Sequence, residues 1–170
     1  MTDKRNILNL LVYIIDRVNT KDFHNVLKVL YWAEQEHLAK YGLRITSGNY
    51  IAMPKGPVHQ DLYSMIQAVN KNFADSELKE FFKVTGKYGL KSLKKADLNY
   101  ISESEKECIN NAIRKSDSLS FDQRTKASHD LAWKNGRKSS TMNIKDIAKV
   151  GGANNELIKH IVEQSEWAIV

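Results

Sequence analysis

Apolar residues recur at three- and four-residue steps through most of the chain, and potential cap residues bracket each such stretch. The first runs from about Asp3 to Val18, with Ile7, Leu10, Leu11, Ile14, Ile15 and Val18 on one face, the stripe of an amphipathic helix. Thr20 offers an N-cap for a second helix over 21–41. There Phe23, Val26, Leu27, Leu30, Tyr31 and Leu38 face inward and Gly42 takes the C-terminal position. Glu34 is the one polar residue on that stripe, and such residues are expected at its edge. The next stretch, RITSGNYIAMPKGPVHQDLY over 44–63, holds both prolines of the chain, Pro54 and Pro57. Tyr50 to Met53 is a short apolar run between turn residues and predicts a brief buried strand. Gly56-Pro57 reads as a rigid corner that starts a third helix, because proline loses nothing at the first helical position. That helix extends to about Asn72, with Val58, Leu62, Met65, Ile66, Val69 and Phe73 on one face.

Between Leu78 and Ile101 the pattern changes. Gly86 and Gly89 sit among Phe82, Val84, Tyr88 and Leu90, which predicts one or two short antiparallel hairpins. Helical signals then return. Ser102 with Glu105, and Ser120 with Gln123, have capping-box spacing, and Asn143 and Asn154 can cap two further helices. The stretch NGRKSSTMN over 135–143 reads as an exposed, mobile loop. The predicted fold is mainly α (α+β), a single-domain helical bundle over 1–170 with a small antiparallel β hairpin.

Composition narrows this picture. The chain has 170 residues, 42% of them apolar and 27% charged, ordinary values for a globular protein with a sizeable core. No apolar run approaches the length of a membrane span, and none of the marks of a cleaved leader follows Lys4 and Arg5. One cysteine, Cys108, excludes an intrachain disulfide, so a buried structural thiol in a reducing cytoplasm is expected. The net charge of +6 permits a nucleic-acid or acidic protein partner and requires neither.

Candidate chemistry is sparse. Ser128, His129 and Asp130 are consecutive, whereas a triad needs groups converging from separate backbone positions. His24, His37, His59, His129 and His160 lack metal-ligand spacing, and His59-x-Asp61 reads as two side chains on a solvated helix. No phosphate-cradling glycine motif occurs, so no cofactor is expected. His129 and Trp133 would share a face if one helix continues through them. They read as an aromatic anchor on the core or as the flank of a binding surface. Lys79, Lys83, Lys87, Lys91, Lys94 and Lys95 form the densest basic cluster, and the last five read as either a nucleic-acid contact or the lysine guard of an edge hairpin. Asn110, Asn111 and Arg114 read as an exposed helix face.

The stretch LKVLYWAEQEHLAKYGLRITSGNYIAMPKGPVHQDLYSMI resembles the signature of the Panacea domain, the SocA-like antitoxin family of bacteria and phages. The matching positions include Lys28, Leu30, Tyr31, Ala33, Gly42, Ile45, Thr46, Tyr50, Ala52, Gly56, Pro57 and Val58. The family's second landmark, Ser/Thr-His followed shortly by Trp, matches Ser128, His129 and Trp133, so the resemblance covers about 26–135. Two positions depart from the pattern: Ala132 stands where a proline is common, and a Tyr-Gly pair is absent around 116–119. The resemblance implies a non-enzymatic interaction module with no cofactor. Its members neutralise a toxin encoded beside them by direct binding, and some act as adaptors that deliver the toxin to a protease. It also implies that the matching residues hold the scaffold while exposed neighbours choose the partner. A nucleic-acid-binding regulator using the basic hairpin, and a phage-encoded protein directed at a host factor, are the other classes considered.

Overall fold

The computed structural model describes residues 3–167, and 62% of these residues are helical. Helix α1 (Lys4–Arg17) is capped by Asp3 and buries every residue from Ile7 to Ile15. Its burial is therefore wider than the one-sided stripe in its sequence, the mark of a helix enclosed on all sides. Helix α2 (Phe23–Tyr41) is as deeply buried and forms the axis of the molecule. Its N-cap is Asp22, whose carboxylate accepts from Asn25 N, and not Thr20. Gly42 ends it at φ +66°, in the left-handed conformation that glycine adopts without a Cβ penalty.

The prolines stand in a hairpin. Strand β1 (Tyr50–Met53) pairs antiparallel with β2 (Gly56–His59) across the two-residue turn Pro54–Lys55, in the register Tyr50↔His59 and Ala52↔Pro57. Gly56-Pro57 thus does not begin a helix. Helix α3 (Gln60–Asn70) starts three residues later, with the His59 ring as its cap. Both arrangements tolerate a proline without an N–H. Ala52, opposite Pro57, turns its own N–H outward to Ser140 O at 2.8 Å, so the missing Pro57 donor breaks no ladder bond. The outer edge of β1 is covered by the stretch predicted to be mobile. Met142 N donates to Tyr50 O, and Thr141 bridges Ile51. The stretch beyond α7 is exposed over 137–141 but buries Met142 in the core and is pinned to β1 by its backbone.

The second hairpin, β3 (Phe82–Thr85) with β4 (Gly89–Ser92), lies where the glycines place it. It docks on the α1–α2 connection through Phe23 N to Tyr88 O and Leu90 N to Lys21 O. A short helix precedes it, α4 (Ser76–Phe81), capped by Asp75, and a single helical turn over Leu98–Tyr100 follows it. Neither has a sequence stripe long enough to signal a helix. Helix α5 (Glu103–Asp117) and α6 (Phe121–Ser128) carry both capping boxes. They are followed by α7 (Leu131–Gly136), α8 (Ile144–Val150) and α9 (Asn155–Trp167).

Cys108 is fully buried on α5, and burial pushes its thiol up to about 12. Asn110 and Asn111 bond to Tyr13 and Glu36 rather than standing free on an exposed face. No described helix is long and apolar enough to cross a membrane.

Candidate functional site

Most of the motif residues singled out from the sequence gather around the β1–β2 hairpin, three of whose carbonyls accept side-chain hydrogen bonds. From α2, Lys28 Nζ donates to Pro57 O at 3.0 Å. From α7, Trp133 Nε1 donates to Met53 O at 2.8 Å, and just beyond, Arg137 Nη1 donates to Ala52 O at 2.7 Å. Gly56, at φ +116°, lies against Lys28 and Ser128; a Cβ there would stand 2.5 Å from Ser128 Oγ and 2.6 Å from Lys28 Cε. Ala52 and Val58 are buried beside them. The carbonyls of a two-stranded hairpin need partners when helices cover them, and α2 and α7 supply those partners.

Three further contacts fix the elements that grip. Asp130 caps α7 through Oδ1 to Trp133 N, while its Oδ2 accepts from Tyr31 Oη at 2.8 Å and Gln35 Nε2 at 2.9 Å. His129 and Trp133 do not lie on one continuous helix, because α6 ends at Ser128 and α7 begins after Asp130. Their rings nevertheless stack, with centroids 3.7 Å apart and planes 6° from parallel. Tyr31 and Tyr50 bring their rings to 5.6 Å, and Tyr50 meets His59 edge-on at 5.2 Å. Ser128 donates to Thr125 O, so Ser128, His129 and Asp130 form no relay with one another.

Glu34 is fully buried, not at the edge of the stripe. Its carboxylate accepts from Ile45 N at 2.8 Å, Thr46 N at 3.3 Å and Arg44 Nε at 3.0 Å. Burial pushes this carboxyl upward, opposed by Arg44 and the two amides. It ties the segment leaving Gly42 back onto α2 and so aims β1. His59 is also fully buried, not on a solvated surface. Its Nδ1 accepts from Leu62 N and its Nε2 donates to Ser47 O, which fixes the neutral Nε2–H tautomer.

Beside the hairpin lies a groove of about 590 Å³. Phe23, His24 and Leu27 of α2 form one wall, Tyr63 of α3 another, and Tyr88 and Phe121 stand at the rim. His24 stacks on Phe121 at 4.0 Å. The five lysines Lys83, Lys87, Lys91, Lys94 and Lys95 are exposed on and after β3–β4 and make none of the bonds to the gripped carbonyls. Lys83 and Lys91 stand directly opposite each other in the ladder. The sequence singled out Glu34 but placed it at the edge of its stripe, and Gln35, Arg137, the capping role of Asp130 and the groove were missed. Of these, only Asp130 carried a local signal, an Asp three residues before a tryptophan in a helix-capping position.

Burial, then Lys28 and Arg124, push the His24 imidazole down to about 4, and burial lowers His59 and His129 as well. A histidine held neutral by the fold contributes stability that is complete above its unfolded value of 6.5. That stability is lost as the pH falls from 6.5 toward 4. The denaturation midpoint in urea is therefore expected to drop between pH 7 and pH 5. For half-buried His24 the part lost is about 1–2 kcal/mol after allowing for solvent screening. His24→Asn should flatten the drop by that amount, and an unchanged pH slope in the variant would refute the assignment.

This is a mainly helical architecture with small antiparallel hairpins, one of which has three of its carbonyls bonded by side chains of α2 and of the α7 region. The family model for the antitoxin SocA-like Panacea domain matches residues 26–134, and the chain belongs to that family. No curated protein and no solved structure matches the chain.

Proposed function

We propose that this protein is an antitoxin that neutralises a cognate protein toxin in the cytoplasm by direct binding, without catalysis. The observation that carries the reading is the match of residues 26–134 to an antitoxin family. The direction of the motif contacts supports it. Tyr31, Tyr50 and Trp133 turn their polar or aromatic groups onto the hairpin and the helices around it. Gly42, Thr46, Ala52, Gly56, Pro57, Val58 and His129 take scaffold positions on this reading, leaving partner choice to the exposed surface. Delivery of the bound toxin to a cytoplasmic protease is compatible with the same role.

The test is co-expression with the product of the adjacent gene. The expected outcome is that this gene alone arrests growth, that co-expression restores it, and that the two proteins co-purify. A harmless neighbour that forms no complex would sink the reading.

The exposed lysine hairpin favours a second reading, a nucleic-acid-binding regulator. Lys83 opposite Lys91 is a like-charge pair that an anion would relieve. On that reading duplex DNA binds with an affinity that falls steeply with salt, and Lys83→Glu with Lys91→Glu removes it.

A further inference from the structure

We infer that the groove between α2 and the turns of the two hairpins seats an acidic segment of the protein partner, with a carboxylate over Lys28 and Lys55 and an apolar or aromatic side chain against Phe121 and Tyr88. Shape and charge argue for this together. The rim residues Phe121 and Tyr88 are 45% and 58% exposed, large apolar area turned outward at the mouth of a concave site. Such exposed aromatic area is where interface anchors concentrate.

The charge beneath is unbalanced. Lys28 is 1% exposed, its single hydrogen bond goes to a neutral carbonyl, and no described carboxylate lies within ion-pair distance of it. Burial and neighbouring Arg124 hold its ammonium down to about 7, as befits a cation without a counter-ion. Arg124, also buried, bonds among the described residues to the carbonyls of Ser116 and Leu119. Lys55 is exposed at the β1–β2 turn, and its backbone lies against the His24 imidazole. The one acid of the lining, Asp22, is engaged as the α2 cap.

The lining is net positive, Lys28 and Lys55 against Asp22, and low-dielectric walls focus such a field on an incoming anion. A carboxylate gives Lys28 the counter-ion it lacks. The apolar walls favour a peptide over a phosphate backbone, which would leave them unfilled.

The experiment is selection of random dodecapeptides displayed against the full chain, followed by titration of a fluorescent selected peptide. Selected sequences are expected to place Asp or Glu beside Phe, Trp or Leu. Lys55→Glu and Phe121→Ala, both at exposed positions, should each weaken binding about tenfold or more, with melting temperatures confirming the fold. Lys145→Glu, far from the groove, should bind as the parent does. Enriched peptides without acidic residues, no enrichment, undiminished binding by the two groove variants, or displacement by a single-stranded oligonucleotide would each overturn the inference. It rests on the antitoxin reading only for the identity of the partner. A toxin complex indifferent to Lys55→Glu and Phe121→Ala removes the inference alone, whereas acidic peptides that bind while the neighbouring gene product does not remove that reading alone.

Discussion

Gly56→Val is expected to lower the melting temperature by about 6–12 °C, equivalent to about 3 kcal/mol or more for a chain of this size. Two costs combine. At φ +116° a β-branched residue is strained whatever the space around it. The new Cβ also meets Ser128 Oγ at 2.5 Å and Lys28 Cε at 2.6 Å. Neither neighbour can yield freely, because Lys28 is held by Pro57 O and Ser128 by Thr125 O. Overpacking of this kind typically costs about 1–3 kcal/mol before backbone strain is added, a large share of a total near 5–15 kcal/mol. Gly86→Asn is the control. Gly86 is also left-handed, at φ +59°, but a Cβ there meets nothing within 4 Å, and asparagine tolerates that conformation. The control should melt close to the parent. Equal melting temperatures for Gly56→Val and the parent would show that the hairpin can move away from α2 and α6, against the grip described above.

Glu34→Ala is expected to be at least as damaging, by about 3–5 kcal/mol, the usual cost of removing one partner of a buried ion pair. The carboxylate satisfies Arg44 Nε and the amides of Ile45 and Thr46, which are 5% and 2% exposed. Alanine leaves these donors without an acceptor, and each buried unsatisfied donor costs about 1–3 kcal/mol. Glu34→Gln keeps one acceptor oxygen but turns an N–H₂ toward donors, so it should fall between alanine and the parent. Urea denaturation reads both. With a slope of about 2 kcal/mol per molar, the alanine midpoint should drop by about 1.5 M or more. A drop below about 0.3 M would mean that water replaces the carboxylate at little cost.

Both predictions rest on residues whose chemical type was plain in the sequence and whose surroundings were not. Glu34 interrupts an apolar stripe, and periodicity alone leaves such a residue at the border. The segment 44–46, returning after Gly42, brings three donors to it and makes full burial affordable. Gly56-Pro57 carries a signal with two solutions, since a proline without an N–H suits the first turn of a helix and the open edge of a strand equally. The strand won because Tyr50–Met53 lies one turn upstream with matching burial, and because Lys28, Trp133 and Arg137 reach the hairpin carbonyls. The spacing of His129 and Trp133 suggested a shared helical face. They meet across a break between two helices instead, because Asp130 caps the second helix and bonds to Tyr31.

The sequence by itself determined the longer helices, most of their caps, the glycine-bounded β3–β4 hairpin and the family. Each of these is written in neighbours three or four residues apart, or in a contiguous motif, where local physics suffices. Only the tertiary structure decided which side of Pro57 is a strand, that residues 135–143 are pinned to β1, and that Glu34, His59 and Lys28 are buried. It also decided that Phe23, Tyr63, Tyr88 and Phe121 form one groove. Those outcomes depend on donors, acceptors and rings carried by different elements, which meet only once α2 has been enclosed.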